Sequence, residues 1–367
     1  MTIPLHAAAI ARQFAMDGQL QSVTPYGSGH INDTYCAVFS QGGCTARLIV
    51  QRIHTGIFRD PSALMENIRR VTSHLALKMQ AEPDCARDWE RRVLTVIPAR
   101  DGRAWHEDAA GGWWRAYPLI EGAHSLDAVE SAEQAYEAAR AFGRFQQLLA
   151  DLPAPRLHDT IPDFHNTPKR FADFERALAA DVAGHAANAR AEIEFAIARQ
   201  GIASVLLDAH LPERVTHNDT KINNVLLDDK TGEGICVIDL DTVMPGLALY
   251  DFGDMVRTAT CAASEDERDL SKVAMQFKMF EALVRGYFST AGGFLTKAEL
   301  EHLAFAGKAI PFEQGIRFLA DYLAGDTYYK VHRAGQNLDR CRTQFKLIES
   351  IEAQEEAMNR LVRELTR

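Results

Sequence analysis

Between residues 215 and 241 two short apolar runs enclose a loop of hydrogen-bonding side chains, and this stretch restricts the possible folds most. The loop reads His217-Asn218-Asp219-Thr220-Lys221-Ile222-Asn223-Asn224. Val225-Leu226-Leu227 follows, Asp228-Asp229-Lys230-Thr231-Gly232 forms a turn, and Ile235-Cys236-Val237-Ile238 returns to a second acid, Asp239. Short apolar runs on either side of such a turn predict a β-hairpin. The hairpin sets the loop and Asp239 side by side. Two carboxylates and an amide at adjoining strand ends then converge on one point, as a metal–phosphate cluster requires.

His217, Asp219 and Asn224 fit the pattern H-x-D-x-x-x-x-N. That is the spacing of a kinase catalytic loop, in which the Asp receives the acceptor's hydroxyl proton and the Asn holds magnesium. On this reading Asp219 is catalytic, Lys221 stands in the same loop, and Asn224 and Asp239 are metal ligands. Asp251-Phe252-Gly253 imitates the metal-binding triplet of kinases. Asp239 already holds that acid's place on the returning strand. Asp251 is therefore expected to cap the next helix or brace the loop, and Asp254 to pair with Arg257 at i, i+3.

The 367 residues suffice for two domains or one two-lobed fold. A net charge of −10 without a lysine or arginine run argues against nucleic acid as a partner. No apolar run reaches the ~18 residues that span a bilayer, and the first residues lack a signal-peptide layout. The six cysteines form no CxxC pair, which predicts a reduced, cytoplasmic protein. The 13 histidines form no HExxH cluster, so they are read as core or surface residues.

Alternation and turns predict strands at 35–39, 46–53, 93–99 and 113–120, with a helix at 61–79 whose Glu66 is read as a surface residue. Glu121-Gly122 breaks the pattern. Helical spacing then covers 128–150, 250–260, 265–290, 297–323 and 340–364, and Thr167-Pro168 offers an N-cap and first-turn proline for one helix more. The expected layout is a β-rich lobe, residues 1–119, and a helical lobe, residues 120–367, which carries the catalytic loop.

Gly27-Ser28-Gly29 opens the first strand pair, where backbone N–H groups can lie over phosphates. The third strand ends in Gln51 and Arg52, not the lysine that kinases use there. Alternation sends the two to opposite faces. Either Gln51 takes the lysine's slot or Arg52 reaches round. Near the end, Arg317 and Asp321 share a helix face. They form either a surface ion pair or a polar wall for a small hydroxylated acceptor, with Tyr328 adding a ring or hydroxyl.

The segments YGSGHINDTY, FHNTPKRF, RVTHNDTKINN, IDLDTVMPG, DFGDMVR and GIRFLADYLAGDTYY run nearly end to end. In that order they resemble the aminoglycoside phosphotransferase/choline kinase superfamily, and within it the group of anomeric sugar kinases. The resemblance implies an α+β, protein-kinase-like, two-lobed fold, with ATP as co-substrate, Mg²⁺, and a small-molecule sugar, GlcNAc or GalNAc, as acceptor. It implies Asp219 as base, Asn224 and Asp239 as magnesium ligands, and Asp241 as a helper at a second metal site. Gly27, Ser28, Gly29, Asn32, Thr34, Gln51, Leu119 and Ile120 would meet the nucleotide. Arg317 and Tyr328 would meet the sugar, with Asp321 counted beside them, and His30 would reach the sugar or the phosphates. That group also lacks the lysine on its third strand. A kinase of another small hydroxyl compound (homoserine, an amino alcohol or an aminoglycoside) and a nucleotide-binding pseudokinase stay open as alternatives, as do monomer and homodimer.

Overall fold

The structure, a computed structural model, describes residues 5–27 and 31–366. The first lobe contains α1 (Leu5–Ala11), β1 (Gln19–Pro25), β2 (Asp33–Gln41), β3 (Cys44–Arg52), α2 (Pro61–Ala81), α3 (Trp89–Arg92), β4 (His106–Glu107) and β5 (Trp113–Pro118). Its antiparallel sheet has the order β1-β2-β3-β5-β4. Side chains alternate across a strand, and Phe39, Leu48, Val50, Trp114 and Ala116 accordingly share one buried face with α1. The other face presents Thr34, Gln51 and Arg115, which are register partners across β2, β3 and β5.

The chain leaves the sheet after Pro118. The Leu119 N–H donates to the Arg47 carbonyl at 2.9 Å, and Gly122 turns with φ +67°, a conformation glycine adopts without steric cost. The second lobe contains β6 (Ala123–His124), α4 (Ala132–Leu149), α5 (Thr167–Ala180), α6 (Arg190–Ala198), α7 (Val205–Asp208), β7 (Arg214–Thr216), β8 (Val225–Asp228), β9 (Gly234–Val237), β10 (Met244–Gly246), α8 (Ala248–Ala259), α9 (Phe277–Ala291), α10 (Lys297–Leu323), α11 (Gln336–Glu352) and α12 (Glu355–Leu365). Most of its apolar side chains belong to one core built around α4, α8, α9 and α10. The two-lobed, kinase-like α+β arrangement expected from the sequence is the one formed.

Helix α2 joins the lobes. Its Leu64, Ile68, Val71 and Leu75 pack with Leu240 and Val243, which follow the hairpin. Buried Asn67 donates to the carbonyls of Val243 (3.1 Å) and His158 (2.8 Å). Glu66 lies outside and meets His158 at 3.0 Å.

Four elements differ from expectation. Residues 93–99 make only isolated bridges, Ile97 to Ala116 and Phe14 to Ala99, because Pro98 lacks the N–H a ladder needs. Helix α9 begins at Phe277 and not near 265, since the Asp269 side chain accepts from the Ser271 N–H and forms a local turn instead. The predicted 340–364 helix is two helices, parted where the Gln354 side chain turns to the Met275 carbonyl. Asn166, not Thr167, caps α5, because the Thr167 hydroxyl donates to Glu313 at 2.7 Å.

Helices α4 and α9 meet through glycine. A Cβ on Gly286 would run into the Tyr136 carbonyl oxygen far inside contact distance, whereas one on Gly201 would meet open space. Gly286→Ala should therefore lower stability by roughly 1–3 kcal/mol in urea unfolding, as overpacking does. Gly201→Ala should leave stability unchanged or slightly raised.

Candidate active site

Strand β7 delivers the loop, and β8 and β9 form the predicted hairpin, with Val225 opposite Val237. The Ile238 N–H donates to the Asn224 carbonyl at 2.9 Å, which sets Asn224 beside Asp239. The Asn224 amide donates to the Asp219 carbonyl (2.8 Å) and carboxylate (3.2 Å). Lys221 Nζ lies 3.1 Å from the same carboxylate. Asp219, Lys221 and Asn224 thus share one point. Asp239 borders it: burial, then the like charges of Asp241 and Asp219, push its carboxyl up to about 6. Asn218 (φ +66°) and Asp239 (φ +57°) both adopt the left-handed conformation, which Asn and Asp tolerate better than other side chains.

The loop is held from beneath. His217 Nδ1 accepts from the Asp219 N–H (3.3 Å), so Nε2 is the donor to the Ile238 carbonyl (2.9 Å). The ring therefore ties the catalytic loop to the acid hairpin. Asp251 accepts the N–H groups of His217 (2.9 Å) and Asn218 (2.7 Å), together with the Gln146 amide (2.6 Å). Asp254 accepts the Thr220 N–H (2.8 Å) and Arg257 Nε (2.8 Å). Asp251 thus braces the loop, and the Asp254–Arg257 pair does so too, a role the sequence reading left out.

On the sheet side, Gln51 occupies the inward position and Arg52 turns outward toward Asp33, 3.9 Å away. Gln51 Nε2 donates to Thr34 Oγ1 (3.1 Å), and Arg115 Nε donates to Gln51 Oε1 (3.0 Å). Arg115 also pairs with one oxygen of Asp241, and Asn32 Nδ2 donates to the other at 2.6 Å. Asn32 Oδ1 accepts the His54 N–H at 3.0 Å. Both Asp241 oxygens therefore have protein donors, and this acid bolts the hairpin to the sheet. The sequence reading overlooked Arg115, although a charge inside the run Trp113-Trp114-Arg115-Ala116-Tyr117 was its signal. Gly27 has φ +76° at the loop's start. Leu119 is half-buried, and Ile120 packs with Ile235 and Cys236. Ser28, Gly29 and His30 lie outside the described residues.

On the opposite side, Glu313 meets His165 Nδ1 (2.9 Å), the Thr167 hydroxyl (2.7 Å) and Arg317 (4.0 Å). His165 Nε2 contacts the Asn218 carbonyl of the loop at 3.2 Å. The Arg317 guanidinium lies near the rings of Phe164 and Tyr329. Asp321 corrects one expectation. It is not Arg317's partner. Its carboxylate accepts the N–H groups of Thr327, Tyr328 and Tyr329 and the Asn337 amide, so it shapes the loop that presents Tyr328. Tyr328 is 70% exposed.

Among the described residues no group of three or more His, Cys, Asp or Glu side chains is arranged to hold a metal ion. The donors beside Asp219 nevertheless fit magnesium, which takes one or two carboxylates and completes its shell with phosphates and water. Asp239 offers a carboxylate among like charges that a cation would relieve. The Asn224 amide nitrogen is engaged with Asp219, which leaves its oxygen as the donor.

Residues 22–287 match the phosphotransferase enzyme family, and the chain belongs to that family. The match spans the sheet, the loop and the hairpin. Among solved structures the chain is similar to an aminoglycoside phosphotransferase from Alicyclobacillus acidocaldarius (TM-score 0.61, 11% identity, covering 99% of this chain and 97% of that one). It is also similar to a microcompartment-associated aminopropanol kinase (TM-score 0.55, 17% identity, 97% and 98%). A third is spectinomycin phosphotransferase in complex with ADP and spectinomycin (TM-score 0.53, 12% identity, 92% and 94%). At these identities the likeness establishes the kinase-like fold. No helix among the described residues is long and apolar enough to cross a membrane.

The His165–Glu313 pair has a pH signature. Burial lowers the pKa of His165, but Glu313 outweighs it and leaves it raised above 6.5. Burial raises the pKa of Glu313, but His165 and Arg317 hold it below 4.5. The pair's contribution is thus complete between those two ordinary values. It fades as pH rises through the folded-state pKa of His165, and as pH falls through that of Glu313. Glu313→Gln should therefore lower the melting temperature most at pH 5–6.5, and by less in alkaline buffer.

Proposed function

We propose that the chain transfers the γ-phosphoryl group of ATP to the anomeric hydroxyl of an N-acetylhexosamine, GlcNAc or GalNAc, and so acts as an N-acetylhexosamine 1-kinase. One observation carries the choice of acceptor. The buried acids on that side of Asp219 already have cations: Asp254 has Arg257, and Glu313 has His165 and Arg317. A cationic amino alcohol or aminoglycoside would meet Lys221, Arg257 and Arg317, while Asp254 and Glu313 are already matched. A neutral sugar brings no charge that needs settling there. Its attachment at the anomeric carbon rests on the sequence resemblance.

Asp219 is the base. It takes the acceptor's proton as the hydroxyl oxygen bonds to the γ-phosphorus and the bond to the bridging oxygen of ADP breaks. An anomeric hydroxyl is more acidic than an ordinary alcohol, so a carboxylate suffices. The Asn224 amide fixes that carboxylate, and the Lys221 ammonium beside it offsets charge on the phosphoryl in transit. Lys221 stays charged: burial lowers its pKa, but Asp219 and Asp254 outweigh it and raise it. Asn224 and Asp239 would hold Mg²⁺, which would supply positive charge against that of the phosphates. Arg317 and Tyr328 line the sugar's side, and Asp321 holds the loop that carries Tyr328.

Asp219→Asn should lower kcat by roughly 10²–10⁴-fold, the usual cost of a lost general base, with KM for ATP little changed. Near-normal turnover would remove Asp219 from the role. The product should carry phosphate on C1, read by phosphorus–proton NMR. Arg317→Ala should raise KM for the sugar well beyond KM for ATP, since an unpaired buried hydroxyl costs about 1–3 kcal/mol. A 6-phosphate, or faster turnover of an amino alcohol than of any sugar, would overturn the reading.

A further inference from the structure

Phosphotransferases of this fold need a cation on the sheet side of the cleft to hold the nucleotide's phosphates. Strand β3 places the neutral Gln51 at the inward position. Its register partner on β5 is Arg115, on the same face. We infer that Arg115 supplies the phosphate-holding cation, displaced by one strand from its usual place, with Gln51 as its positioning residue. This rests on the phosphotransfer reading above.

The geometry supports the assignment in three ways. First, the guanidinium is oriented at two points: Nε donates to Gln51 Oε1 at 3.0 Å, and Nη1 pairs with Asp241. Gln51 is itself fixed by Thr34 at 3.1 Å. A neutral glutamine there orients the arginine, whereas a lysine at 51 would repel it. Second, the charge sits at the acid end of the cleft. Burial works against the Arg115 charge, and Asp241 first, then Tyr117 and Asp239, outweigh it. Asp239 stands beside Asp219 at the cleft, whereas the guanidinium itself is buried behind it, with its side chain 1% exposed. Third, a buried arginine–carboxylate pair adds little net stability over apolar side chains of similar volume. Its presence in a site that must accept a polyanion has a chemical explanation, because the guanidinium fork matches two phosphate oxygens. The Asn32 amide covers the Asp241 pair from the glycine-loop side. The guanidinium is buried, so the assignment requires Asn32 and Asp241 to yield as the nucleotide arrives.

The test measures ADP and adenosine binding by calorimetry to the full chain in EDTA, so that no metal contributes. Arg115→Gln should weaken ADP by about 10–100-fold, the worth of a hydrogen bond to a charged group, and leave adenosine within about twofold. Because the single variant strands Asp241, Arg115→Gln/Asp241→Asn is measured beside it. That pair removes both charges, and the asparagine keeps the shape of the carboxylate. If Arg115 holds the phosphates, ADP is weakened there too, although a repelling carboxylate has gone. Gln51→Lys in the Arg115→Gln background returns a cation to the third strand and should recover most of the ADP affinity. Unchanged or tighter ADP binding in the double neutral variant overturns the assignment, as does equal weakening of ADP and adenosine. Recovery of melting temperature without ADP affinity in the lysine variant does so as well. A wild-type chain that binds no ADP would instead defeat the phosphotransfer reading itself.

Discussion

The buried carboxylate of Asp251 is the constraint on which the catalytic loop depends. It accepts two consecutive backbone N–H groups, from His217 and Asn218, and a third donor from Gln146. Consecutive N–H groups aim at one acceptor only where the backbone turns sharply, and Asn218 makes that turn at φ +66°. Burial raises the pKa of Asp251, and the donors from His217, Asn218 and Gln146 oppose that rise. Without the carboxylate, two buried N–H groups would be left unpaired, at about 1–3 kcal/mol each. Helix α8 is therefore more than packing. It sets the floor from which Asp219 projects, and Asp254 one turn later holds Thr220 on the other side.

A second constraint acts between the lobes. Asp241 follows the hairpin, yet its two oxygens are held by Arg115 of β5 and Asn32 of the loop before β2. The sheet is thus tied to the end of the acid hairpin through the Asp241 carboxylate. Helix α2 makes the second tie through Asn67. Each of these ties is polar and directional, so they fix the orientation of the sheet over the loop more closely than apolar contact would. A cleft built this way keeps its donor groups aimed before any ligand arrives, which is where electrostatic catalysis gains most.

The hairpin, the loop and most helices were legible in the sequence because each depends on local signals. Spacing placed Asp219 near Asn224, and a turn returned the chain to Asp239. The Asp-Phe-Gly triplet was set aside as the metal acid for the same reason, and Asp251 indeed faces the loop's backbone. What stayed hidden was non-local. Nothing near Arg115 in the chain announces that β5 lies beside β3 and turns that side chain toward Asp241. Likewise Asp321 reads as a helix-face partner of Arg317 at i, i+4, but the chain beyond Gly325 folds back and presents three N–H groups to it. Thr167 reads as a cap until Glu313, far along the chain, claims its hydroxyl. In each case the sequence showed the side chain's capacity, and tertiary structure chose the partner.

The two sides of the loop differ in how their charge is settled, and that difference gives the site its direction. Toward α10, Glu313 and Asp254 sit with His165, Arg317 and Arg257, and cations hold both acids below their ordinary pKa values despite burial. Toward the sheet, Asp219, Asp239 and Asp241 share Arg115 and Lys221, and Asp239 is pushed the opposite way, up to about 6. One side is electrostatically complete and offers only hydrogen bonds and ring faces. The other holds negative charge that a cation accompanying a polyphosphate would satisfy. On the proposed reading the nucleotide with its metal would take the sheet side and the neutral acceptor the helical side. Asp219, held by Asn224 and Lys221, lies on the loop between them.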